Sequence, residues 1–134
     1  MTNKIDIDVV IQLSSIRALW GEVTPPLRSV SVELQGNIIV WQCIFDEGAT
    51  DDDFELMSMA AGEVIADFPD FGLKEIIETM PAPIKMQHLK NLIYLRHEAN
   101  YYRQHHLVAI AGFSGVCYFA AFYYISTGLK VICN

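Results

Sequence analysis

A chain of 134 residues has room for one domain and a tail, since a compact domain of about 100 residues already buries most of its apolar surface. All sixteen acidic residues lie at or before Glu98 with seven of the nine basic ones, so that part carries −9 and the remainder, with Arg103 and Lys130, carries +2. A field of that sign repels nucleic acid, which excludes direct nucleic-acid binding, and attracts a basic protein partner. Cys43, Cys117 and Cys133 are odd in number and far apart, so neither a disulfide framework nor a zinc site is indicated and a reducing cytosol is the expected compartment. The first eight residues, Met1 to Asp8, include acidic residues where a signal peptide needs an uninterrupted apolar stretch, so export is not expected.

In chain order, Val9, Leu13, Ile16 and Trp20 recur at helical spacing and place a helix over about Asp6 to Trp20, ended by Gly21, Pro25 and Pro26. Trp20 lies on that apolar stripe, and core packing is the expected role for it and for Trp41. Val30, Val32 and Leu34 alternate with Ser29, Ser31 and Glu33, the period of a strand with one wet face. Gln35-Gly36-Asn37 supplies hairpin turn chemistry, and the apolar run Ile38 to Phe45, interrupted only by Gln42, reads as a central strand. Thr50 followed by Asp53 is a capping-box arrangement, and Asp51 and Asp52 put negative charge where a helix dipole is positive. The helix that starts there buries Phe54, Met57, Ala61, Val64, Ile65 and Phe68 and stops at Pro69. Leu73 to Thr79 and Asn91 to Glu98 are two further extended segments around the loop Pro81-Ala82-Pro83. The order αββαββ describes a small two-layer α+β domain over residues 1–98, with its helices against a mainly antiparallel sheet.

Residues 99–134 form a hydrophobic C-terminal tail. The run 107–125 contains no charged residue and would extend about 28 Å as a helix, close to the thickness of a hydrocarbon core. Three readings stay open for it: a transmembrane helix tethering the acidic domain to the inner face of the cell membrane, a buried helix over the sheet, and a non-native extension. Arg103, His105 and His106 before the run, against Lys130 after it, place the domain on the cytoplasmic side in the first case.

The acidic run Asp46 to Glu55 is the most distinctive local feature. A calcium-binding loop needs alternating ligands, glycine at its sixth position and glutamate at its twelfth, and neither start of this run meets that pattern. Two uses fit better: a solvated helix N-terminus, and a docking surface for a basic protein formed by Asp46, Glu47, Asp51, Asp52, Asp53 and Glu55. No nucleophile, base and orienting acid converge in the pattern, and Cys43 falls in the central strand as a small hydrophobe. His88, His97, His105 and His106 lack ligand spacing, and Gly21-Glu22-Val23-Thr24 is not a phosphate loop, so no metal or cofactor is expected. Arg28 and Arg96, on strand segments, have Glu33 and Glu98 as candidate partners.

The run from Ala18 through Trp20-Gly21-Glu22-Val23-Thr24-Pro25-Pro26 to Val30 resembles a segment of the small bacterial immunity proteins that accompany contact-dependent growth inhibition and related polymorphic toxins. Phe45-Asp46 with the acidic helix start, Glu63 to Pro69, and Tyr94-Leu95-Arg96-His97-Glu98 are similar to further stretches of that family, so the resemblance covers about residues 16 to 98. It implies a cytoplasmic, non-enzymatic protein that binds and blocks a cognate toxin domain. The charge agrees independently, because a basic nuclease-type toxin is what a domain at −9 attracts. The tail departs from the family pattern, which ends near Glu98. It supports a rival reading, a tail-anchored membrane protein acting as an assembly or regulatory subunit.

Overall fold

The computed structural model describes residues 6–98. The apolar run 107–125 lies outside them, and with it the expectation of a transmembrane helix; no helix among the described residues is long and apolar enough to cross a membrane. The elements are α1 (Ile7–Ala18), β1 (Leu27–Gln35), β2 (Ile38–Phe45), α2 (Asp51–Ala66), β3 (Gly72–Thr79) and β4 (Asn91–Leu95), an α+β domain in the order αββαββ.

The strands form one sheet in the order β3-β2-β1-β4. β1 runs antiparallel to both β2 and β4, while β3 is parallel to β2 because α2 returns the chain to the starting end of the sheet. Gly36, at φ 63, opens the two-residue turn between Gln35 and Ile38, and the turn's Asn37 carbonyl accepts from Gly72 N at 2.8 Å to set β3 in register. Of the two turn residues only Gly36 takes positive φ, so Asn37 serves by its carbonyl rather than by its tolerance of that region. Exposed Lys74, Glu75 and Glu78 place charges on edge strand β3.

Both helices pack on one face of the sheet. Val30 and Val32 of β1 and Ile39, Trp41, Cys43 and Phe45 of β2 meet Ile11, Ala18 and Leu19 from the first helical segment and Met57, Ala60, Ala61, Val64 and Phe68 from the second. The expected stripe of α2 is the one that faces this core, with Phe54 and Ile65 at its margin. Phe54 meets Phe45 edge-on, ring centroids 5.0 Å apart.

The stripe expected of α1 faces the other way. Ile11, Ser14, Ser15 and Ala18 are its buried residues, whereas Val9, Leu13, Ile16 and Trp20 are exposed, and Trp20 at 74% is the most exposed large apolar side chain described. The spacing does mark a face, but α1 is apolar on two opposite faces and periodicity does not choose between them. Small side chains let the inner face approach closely, and their hydroxyls are satisfied, Ser15 Oγ on the Ile11 carbonyl at 2.7 Å and Ser14 Oγ on Asp67 at 2.6 Å. Asp6 caps the start by accepting from Asp8 N, and the helix ends at Ala18 with Leu19 as its C-cap, two residues before the expected boundary.

The serine face of β1 also departs from expectation: Ser29 and Ser31 are each only 1% exposed. Because β3 and β4 lie at opposite edges, residues 80–90 must cross the sheet, and they do so over the face opposite the helices. Leu89 N donates to Ser31 Oγ at 3.0 Å, Ser31 Oγ donates to Gln42 at 3.0 Å, and Met86, Val40 and Ile44 are buried outside the main core.

Candidate partner-binding surface

The end of β2 and the start of α2 carry the six acidic residues singled out from the sequence, and tertiary contacts divide them into two groups. Asp46 is a tie between three segments: Oδ1 accepts from Glu47 N at 2.9 Å and from Ala82 N at 3.0 Å, and Oδ2 accepts from the Arg96 guanidinium at 2.6 Å. Arg96 also donates to the Pro25 carbonyl at 2.8 Å, so the ends of the strands and the crossover segment are clasped together. Asp53 is the reaching-back member of the cap of α2, its Oδ2 accepting from Thr50 N at 2.8 Å and from the Thr50 hydroxyl at 3.1 Å. The Thr24 side chain donates to the same carboxylate.

Glu47, Asp51, Asp52 and Glu55 carry none of those ties and stand exposed. Gly48, at φ 86, turns the chain between Glu47 and the helix so that both sides of the turn are acidic. No basic residue falls between Arg28 and Lys74, and the last turn of α2 has none either, so no basic side chain of the helix itself offsets these carboxylates. Arg28 donates to the Met80 and Ile84 carbonyls at 2.7 and 3.0 Å, Glu33 accepts from Gln35, and Arg96 donates to Asp46; the arginine contacts bridge segments about 50 residues apart that local sequence does not connect.

Asp46, Asp53 and Asp67 all titrate below the ordinary 3.8, through the Arg96 bond, the Thr50 amide and the Ser14 hydroxyl respectively as leading causes. Their folded values lie below their unfolded ones, so the stabilisation they give is present above 3.8 and is lost as pH falls through the lower folded values. The urea midpoint is therefore expected to drop as pH falls below about 4, with a shallower drop in Asp46→Asn. An equally steep acid limb in that variant would remove Asp46 from the account.

Burial pushes the Cys43 thiol up to about 12, so thiolate is not formed at neutral pH and the side chain acts as a packing group. Among the described residues no three His, Cys, Asp or Glu side chains are grouped to hold a metal ion.

A second surface escaped the sequence reading. Val9, Leu13, Ile16 and Trp20 line the outer face of α1, with Val10 on its flank and exposed Val23 in the following turn. The charged residues beside the stripe are held internally, Asp8 by Lys90 and Arg17 by Asp67. The available signal was that α1 carries Ile11 and Ala18 on the side opposite its main apolar stripe, although a helix at the edge of a single core has only one face to bury.

What this domain offers at its surface is an acidic helix start and an exposed apolar face on α1. The sequence pattern of the MafI2 immunity protein family matches residues 8–98, and the chain belongs to that family of immunity proteins. Among curated proteins none matches the chain.

Proposed function

We propose that this immunity protein neutralises a basic, nuclease-type toxin domain in the cytoplasm by laying its acidic surface over the toxin's cationic active site. Residues 1–98 carry the binding activity. Glu47, Asp51, Asp52 and Glu55 contact the toxin, while Asp46 and Asp53 hold the surface in shape and add to its field. The observation that carries this reading is the uncompensated acidity at the start of α2 in a domain of net charge −9. A toxin that cleaves nucleic acid must itself present positive charge to phosphates, so a carboxylate surface competes for the same groups and needs no chemistry of its own.

The test uses the full chain and the purified toxin domain encoded beside its gene. Stoichiometric addition is expected to stop cleavage of a nucleic-acid substrate, with inhibition weakening as salt rises because the screening length shortens. Binding without loss of cleavage, or inhibition indifferent to salt, would contradict this reading.

A further inference from the structure

We infer that the outer face of α1 is the apolar half of the toxin interface, with Trp20 as the side chain that inserts into an apolar hollow rimmed by basic groups. This rests on the immunity reading above and extends it to a surface that the acidic run does not include.

Four exposed apolar side chains, Val9, Leu13, Ile16 and Trp20, stand on the side of α1 opposite its buried residues. Such a stripe on a short helix is the composition of an interface centre, where aromatic residues are enriched and charges depleted. The charged helix residues on its flanks, Asp8 and Arg17, already have Lys90 and Asp67 as partners, which lowers the cost of covering it.

The occupant follows from charge and from reach. A second copy would bring one domain at −9 against another, which opposes self-association, whereas a basic partner gains from the same field. The turn after Trp20 is tied to the acidic run, since Arg96 donates both to the Pro25 carbonyl and to Asp46, and the Thr24 hydroxyl helps hold the Asp53 carboxyl below its ordinary value. Trp20 lies four positions before Thr24, at most about 14 Å of chain. An interface of about 800 Å² per partner is roughly 30 Å across, so one bound protein covers Trp20 and the α2 carboxylates together. The acids then govern how fast the toxin arrives and the tryptophan how slowly it leaves, the usual division between steering charges and a buried aromatic anchor.

The experiment labels the full immunity chain with 5-fluorotryptophan, which reports two sites, Trp20 and the fully buried Trp41, and adds the unlabelled toxin domain encoded beside its gene. The Trp20 fluorine resonance is expected to shift on binding while that of Trp41 stays in place. In parallel, Trp20→Ala and Leu13→Ser, both at exposed positions, are expected to raise the dissociation rate at least tenfold and leave the association rate and its salt slope unchanged. Circular dichroism and the urea midpoint check that both variants fold.

Toxin binding with an unmoved Trp20 resonance and unchanged dissociation in both variants would overturn the inference while leaving the immunity reading intact. No binding of the wild-type chain at low salt would remove that reading, and this one with it. A Trp20 resonance that moves with protein concentration before toxin is added would assign the face to a second copy. One already shielded from solvent in the free monomer would also overturn the proposal.

Discussion

Replacing Arg28 with methionine is expected to lower the unfolding free energy by about 3–5 kcal/mol, because hydrogen bonds from a buried charged donor to two backbone carbonyls are lost. Arg28 is fully buried and lies at the register shift of β1 between Leu27 and Ser29, where the ladder to β2 skips a residue. Its guanidinium reaches the Met80 and Ile84 carbonyls, the first part of the segment that crosses the sheet from β3 to β4. Methionine fills comparable length without a donor, so the carbonyls lose their partner and the crossing segment loses its anchor. Small domains have about 5–15 kcal/mol in hand, so this one substitution takes a large share of the margin. Urea unfolding followed by far-ultraviolet circular dichroism measures it, and a loss below about 1 kcal/mol would mean that the crossover is held elsewhere.

The second large effect is kinetic. Converting Glu47, Asp51, Asp52 and Glu55 together to their amides is expected to slow association with the toxin domain by about 10- to 100-fold at low ionic strength, since steering by a charged surface contributes rate enhancements of that order. The same variant should show a shallower dependence of rate on salt, because four of the exposed charges that salt would screen are gone. Asp46 and Asp53 are left in place, as their carboxylates hold Arg96, Ala82 and Thr50 and their loss would mix instability with binding. Stopped-flow association across about 20 to 500 mM salt makes the comparison. A variant that associates as fast as wild type across the series would move the interface away from α2.

Local chemistry made most of the fold legible. Alternation at Val30, Val32 and Leu34, the Gly36-Asn37 turn, the acidic cap at Thr50 to Asp53 and the stop at Pro69 each depend on near neighbours, and each element lies where those signals put it. What was hidden depends on strand order and on distant partners. Ser29 and Ser31 read as a wet face because alternation reports only that two faces differ; the crossing segment that buries them exists because β3 and β4 took opposite edges. The outward turn of the α1 stripe was hidden for a related reason. Ser14 and Ser15 look like a polar face, yet they are the close-packed side, their hydroxyls satisfied by Asp67 and the Ile11 carbonyl.

The acidic site was legible as charge but not as a division of labour. Asp53 could be assigned its capping role from its spacing to Thr50, whereas nothing near Asp46 announces Arg96, 50 residues along the chain. Trp20 illustrates the opposite error: a tryptophan on a helical stripe is usually core, and here the core is served by Ile11 and Ala18 on the other side of the same helix.

The central claim is that this chain binds its toxin and silences it, and co-expression tests that most directly. Cells induced to make the toxin domain encoded beside the gene, with and without the full immunity chain, are followed for growth and the two proteins are then co-purified at low salt. Growth is expected to be restored, and toxin and immunity protein are expected to leave the column together. Cells that die at the same rate with the immunity chain present, with no complex recovered, would contradict it.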